Sequence, residues 1–205
     1  MKIYKKIVLV FVALLPFTGC SPENDIKIGQ STDYTFFEEF LGNTADGNVI
    51  NITGWTNYAQ TGTVAWIEGI YSGSKYAEFS AYQSGQASNI AWLISPAINM
   101  DTKDHETLVF DVAQAYVSSP SNSIELLIST DYDGTNVLAA NWQPVSFTTP
   151  PLNYDTNFTF FSSGLVDLSS YTGNIYIAFR CKGSGTNSTL DGTYELDNIR
   201  IFDKK

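Results

Sequence analysis

Apolar and polar side chains alternate with period two through most of the chain beyond residue 34. In Ser123 to Ser129, SIELLIS, the residues Ile124, Leu126 and Ile128 share one parity. In Asn174 to Cys181, NIYIAFRC, Ile175, Ile177, Phe179 and Cys181 fall on one side, with Tyr176, Ala178 and Arg180 on the other. Thr107 to Tyr116, TLVFDVAQAY, aligns Leu108, Phe110 and Val112. Successive side chains of a strand point to opposite faces, so this alternation predicts strands half buried in a sheet. Turn-rich gaps separate them: SSPSNS, TTPPLNYDT and GSGTNSTLDG. Beyond residue 20 no stretch keeps apolar residues at helical spacing for three turns. Many strands, frequent turns and no helices predict an all-β domain, an antiparallel two-sheet β-sandwich of jelly-roll type. Neither a linker nor an internal repeat interrupts it, so residues 34–205 read as one domain.

The two ends of that domain break the simple pattern. A strand through TFFEEF sets Phe36, Glu38 and Phe40 on one face, with Glu39 beside them. In TYELDNIRIF, Tyr194 and Leu196 share one parity while Ile199 and Ile201 share the other. A regular strand cannot bury all four, and a β-bulge near Asp197-Asn198 repairs the register. If the two strands are neighbours, Glu38 and Asp197 share one hard cation with backbone carbonyls completing its shell, and calcium suits such an all-oxygen site. The alternative is a solvated acid on the outer face and a strand buried on both sides.

STDYDGTN, Ser129 to Asn136, opens as many calcium loops do. An EF-hand counted from Asp131 needs glycine at position six and glutamate at position twelve; here glycine comes early, at Gly134, and Trp142 stands in place of the acid. A glycine-bearing turn after a strand is the expectation.

The N-terminus has a different texture. MKIYKKIVLVFVALLPFTGC runs from lysines through an apolar stretch, Ile7 to Phe17, to small residues and Cys20. As a helix that stretch rises only about 16 Å, against a bilayer core of roughly 30 Å. Residues 1–19 therefore read as a secretory signal. The cysteine after small residues resembles the lipobox of bacterial lipoproteins, and CSPENDIK is similar to the surface-export signals of Bacteroidetes lipoproteins. That resemblance implies a lipidated Cys20, a tether over residues 20–33, and an outer-membrane, cell-surface location with the membrane touched through acyl chains only. The formal net charge is −10, and three lysines leave with the signal. A chain this acidic repels phosphate backbones, which argues against nucleic acid as a partner. With Cys20 lipidated, Cys181 is left without an intramolecular disulfide partner.

Chemistry-bearing motifs are sparse. His105 is the single histidine, in a hydrophilic run, and no G-x-S-x-G turn accompanies it. ELDNIR, Glu195 to Arg200, resembles the E-x-D-x-x-E signature of a jelly-roll glycosidase family, but Arg200 replaces the final acid that the chemistry needs. No enzyme is expected. Aromatic rings are abundant, and sugar recognition uses rings with polar neighbours. Tyr71, Tyr82, Tyr132 and Tyr154 lie in turn-like contexts where a ring can face a ligand, whereas Trp55, Trp66, Trp92 and Trp142 read as core.

Taken together, the early FEEF, Trp55 in TGWTN, NIAWLISPAINMD, TLVFDV, LLISTDYDGT, Trp142, LVDLSSYTGNIYIAFR and the closing YELDNIRIF resemble the choice-of-anchor J or cleaved-adhesin type of β-sandwich, a jelly roll related to MAM domains. The resemblance implies a structural calcium between an early acid, Glu38 or Glu39, and a late one, Asp197. It implies roles in adhesion, in glycan binding, or as modules appended to secreted enzymes. The expected function is a non-catalytic surface lipoprotein that binds carbohydrate as an accessory to glycan capture. The alternative is an adhesion or cell-envelope protein whose partner is another protein.

Overall fold

A computed structural model of the protein describes residues 33–204. The signal segment, Cys20 and nearly all of the tether lie outside the described residues. Thirteen strands follow in chain order: β1 (Tyr34–Glu38), β2 (Thr56–Thr61), β3 (Ile67–Tyr71), β4 (Ser74–Ser80), β5 (Asn89–Ile94), β6 (Ile98–Asn99), β7 (Glu106–Ala115), β8 (Ser123–Ser129), β9 (Gln143–Val145), β10 (Phe161–Ser162), β11 (Val166–Asp167), β12 (Asn174–Gly183) and β13 (Thr193–Asp203). Among the described residues the helical turns are two short 3-10 segments, Met100–Thr102 and Tyr154–Thr156. No helix there is long and apolar enough to cross a membrane.

The strands form two antiparallel sheets. A seven-stranded sheet runs β10-β7-β13-β4-β3, with β1 paired to β13 and β11 to β7. A six-stranded sheet runs β2-β5-β12-β8-β9, with β6 paired to β12. The chain passes repeatedly from one sheet to the other, among other places at β4 to β5, β7 to β8 and β12 to β13, as a jelly roll does. The alternation read from the sequence is what fills the space between them. Leu108, Phe110 and Val112 of β7 and Tyr194, Leu196, Ile199 and Ile201 of β13 meet Leu126 and Ile128 of β8 and Ile175, Ile177, Phe179 and Cys181 of β12 in one core. Phe110 and Phe179 touch edge to face across the gap, with centroids 5.0 Å apart. Cys181 is a buried free thiol, and burial pushes its pKa well up.

The first and last strands are neighbours, with Phe36 opposite Ile201 and Glu38 opposite Ile199. β13 also carries the bulge. Its register against β7 jumps between Asp197 and Arg200, and Asn198 adopts φ 52°, a left-handed conformation that asparagine tolerates. The bulge turns both Tyr194/Leu196 and Ile199/Ile201 into the core, and sets Glu195, Asp197 and Arg200 on the outer face.

Loop 130–142 is the glycine-bearing turn expected of it, and it also covers part of a sheet. Asp131 accepts hydrogen bonds from Ser129 Oγ and from the Asn141 N–H, each 2.8 Å. Asp133 accepts from the N–H groups of Thr135 and Asn136, each 2.8 Å. These bonds hold both carboxyls below their ordinary range and make the segment a turn. Tyr132, expected with its ring open to a ligand, is only 5% exposed. The loop folds back and lays that ring against Tyr176 and Trp142, with centroids 4.9 and 5.4 Å away. The outer face of the six-stranded sheet carries Trp92, Ile94, Leu127 and Ala178, and the loop closes over them as a second, smaller core.

Candidate functional site: an acidic groove with aromatic walls

β4 and β13 are hydrogen-bonded neighbours in which Tyr194 stands opposite Phe79, Glu195 opposite Glu78, and Leu196 opposite Ala77. Ala77, Phe79, Tyr194 and Leu196 belong to the core. Their alternates, Tyr76, Glu78 and Glu195, therefore point outward. Two carboxylates thus stand directly across from each other, an arrangement that is unfavourable between like charges.

Two segments raise walls around this floor. On one side the β3–β4 hairpin turns through Ser72 and Gly73, both at positive φ, the geometry of a tight two-residue hairpin. Tyr71 stands on its shoulder, 75% exposed. Between Tyr71 and the floor, the Tyr76 ring lies across Gly69, where any added Cβ would run into it. On the other side the chain after the Tyr154–Thr156 turn crosses the sheet. Phe158 N–H donates to the Gln114 carbonyl at 3.0 Å, and Tyr116 N–H donates to Asn157 Oδ1 at 3.1 Å. Phe160 meets Tyr76 edge on, with centroids 5.9 Å apart, and Phe158 meets Tyr116 at 5.8 Å. Phe158 and Tyr116 both sit at φ near 60°, sparsely populated backbone for residues of this kind, of a sort that gathers at ligand sites. The result is a groove of ≈ 620 Å³ lined by Tyr71, Tyr76, Phe158 and Phe160, with Ser72 and Ser74 at the hairpin and Glu78 and Glu195 at the base.

The base is electrostatically unusual. Glu195 is 3% exposed. Burial, with Glu78 adding to it, pushes its carboxyl up to about 7, while the Tyr76 hydroxyl bonded to it works in the opposite direction. Glu78 is raised by burial and by Asp46. The tyrosine hydroxyl of Tyr76 is raised in turn by burial and by Glu195. None of the lining residues is a lysine, arginine or histidine.

Of the tyrosines singled out from sequence, Tyr71 lines this groove, Tyr82 and Tyr154 are exposed elsewhere, and Tyr132 is buried. Tyr76, Glu78, Phe158 and Phe160 were missed. For the first two a signal existed: SKYAEFS alternates as cleanly as the segments used above. For Phe158 and Phe160 there was none, because they act from a loop.

The acids of the terminal strands come near one another but commit to separate partners. Glu38 Oε1 accepts from the Phe40 N–H at 2.7 Å. Glu39 Oε1 accepts from Arg200 Nη2 at 3.0 Å, and the same nitrogen donates to Asn198 Oδ1 at 2.9 Å. Asp197 stands opposite Asp111 on β7. Burial pushes its carboxyl up to about 6; the Asn198 N–H opposes this, and Asp111 and Glu39 add to it. Among the described residues no group of three or more His, Cys, Asp or Glu side chains is gathered as a metal site. At the corner where a calcium was expected between Glu38 or Glu39 and Asp197, the Arg200 guanidinium is bonded to Glu39 and the Asn198 N–H to Asp197. His105 lies apart from the groove, exposed, with Nδ1 3.8 Å from Asp203.

The profile of the family described as Domain of unknown function (DUF5017) matches residues 57–204. No curated protein matches the chain in sequence. Among solved structures, the K1 cleaved adhesin domain of Lys-gingipain from Porphyromonas gingivalis W83 is similar at 19% identity and TM-score 0.53, over 83% of this chain and 98% of that one. The K2 cleaved adhesin domain of Lys-gingipain is similar at 17% identity and TM-score 0.54, over 82% and 98%. The K3 domain from the same organism gives 18% and 0.52, over 84% and 100%. At such identities what is shared is the adhesin-like β-sandwich.

Proposed function

The chain belongs to the DUF5017 family, and we propose that it works as a non-catalytic binding module whose ligand is a carbohydrate held in the Tyr71–Phe158 groove. The observation that carries this reading is the groove itself: rings on both sides offer flat apolar faces to a sugar, and hydroxyls and carboxylates at the base offer hydrogen-bond partners. The adhesin-like fold agrees with a binding role. Catalysis is left out of the proposal on chemical grounds. A glycosidase sets its two carboxyls on either side of the scissile bond, whereas Glu78 and Glu195 stand side by side on neighbouring strands.

Display at the cell surface is part of the same proposal. Its support is the sequence of residues 1–20, which reads as a signal ending in a lipidated cysteine, so that the domain hangs from the outer membrane by acyl chains and captures glycan beside it. Metabolic labelling with an alkyne fatty acid is expected to mark the protein and to fail on Cys20→Ala. The ligand is tested on a glycan array. Binding is expected, and Tyr71→Ala and Phe158→Ala are each expected to lower it by about tenfold or more, as loss of a stacking ring does. An array with no hits would remove the carbohydrate reading and leave a protein partner, the adhesion reading, in its place.

A further inference from the structure

We propose that the groove selects glycans bearing free amino groups, with the ammonium of a deacetylated hexosamine seated over Glu78 and Glu195 and the sugar ring against Tyr71 and Phe158. This deepens the carbohydrate reading and rests on it. Three observations converge on a cation. First, the register of β4 against β13 fixes Glu195 opposite Glu78, so the fold holds two carboxylates where a single positive charge reaches both. Second, among the described residues no lysine, arginine or histidine lines the groove. Lys75, next in sequence to Tyr76, spends its ammonium on the carbonyls of Leu41 and Asn43, at 2.9 and 2.7 Å. Third, the walls are aromatic, and the face of an aromatic ring attracts a cation as well as stacking on a sugar.

Charge alone separates the possible sugars. An ammonium satisfies both carboxylates in a site partly withdrawn from water, where charge-assisted hydrogen bonds are strong. An N-acetyl group in its place is neutral and leaves the carboxylates desolvated without a counter-charge. A uronic acid or sulfate ester adds a further negative group to Glu78, Glu195 and the neighbouring Asp46. Burial raises both carboxyls, with Asp46 adding to it at Glu78 and Glu78 adding to it at Glu195, as expected of a site before its counter-ion arrives.

The test is calorimetric titration of the full chain with three hexasaccharides: the fully deacetylated glucosamine hexamer, its N-acetylated form, and cellohexaose. The amine form is expected to bind about tenfold tighter or more than the other two. That margin is expected to shrink in ~0.5 M salt, as screening requires. The double variant Glu78→Gln/Glu195→Gln is expected to lose the margin while keeping the weaker neutral binding, with a melting temperature no lower than wild type. Asp104→Asn, an exposed acid just before β7 and far along that strand from Ala113, which faces Glu195, is expected to keep it. Equal binding of the three sugars overturns the selection for amines and leaves the carbohydrate reading standing. Loss of the margin in Asp104→Asn as large as in the double variant overturns it too, because the preference would then belong to the acidic protein as a whole. Absence of binding to all three, together with a blank glycan array, overturns both.

Discussion

At the scale of single residues, the buried carboxyl of Glu195 makes the firmest physical statement. Its folded pKa, about 7, lies above the ordinary 4.5. A raised acid favours the folded state in its protonated form, so its contribution is intact below about pH 4.5 and is lost as pH rises through 7. By linkage the loss reaches at most about 3 kcal/mol. Glu195→Gln should therefore match wild type at pH 4.5 and exceed it progressively to pH 8, measured as the difference in urea-unfolding free energy; a constant difference across that range would contradict the burial argument. Gly69 makes a second statement. With Tyr76 lying across it, Gly69→Ala should push the ring off the floor, lowering stability by about 1–3 kcal/mol and ligand affinity with it. Neither residue stands out in sequence. Glu195 was noticed as part of ELDNIR, but its opposite number is 117 positions away along the numbering and nothing local links them.

Strands and loops were unequally legible. Parity along TYELDNIRIF was enough to place a bulge at Asp197-Asn198, because side chains on a strand have no freedom to choose their face once the register is set. The bulge makes its own prediction. Asn198 holds a left-handed backbone and bonds Asp111 Oδ2 through Nδ2 at 2.7 Å. Asn198→Val loses the bonds and strains the backbone, for about 1–3 kcal/mol, whereas Asn198→Gly loses the bonds alone. Chemical denaturation should rank Val below Gly; the reverse order would mean that backbone conformation is not what asparagine supplies there. Loops followed no such rule. Tyr132 and Tyr71 both sit beside turns in sequence, yet one is sealed against Trp142 and the other is open. The difference lies in what each loop finds beneath it: an apolar outer sheet face draws Tyr132 down, while the tight β3–β4 hairpin leaves Tyr71 nothing to cover.

For the whole molecule, the core between the sheets is the element that everything else stands on. Phe110 joins them through Phe179 and Phe147, so Phe110→Ala should remove about 3–5 kcal/mol. Where the terminal strands meet, Arg200 is bonded to Glu39. A melting curve in excess chelator is accordingly expected to superimpose on one in buffer, and a large drop would restore calcium to that corner.

Sequence by itself determined the sandwich, the core faces and the bulge, because each follows from a period of two and from which parity is apolar. Only the tertiary structure decided the site. A groove depends on which strands lie side by side, in which register, and on which distant loop comes to rest above them, and no local rule carries that information. Glu78 meets Glu195 through strand pairing, and Phe158 reaches them through a loop, so the chemistry of the groove came into being only when separate stretches of chain were packed together.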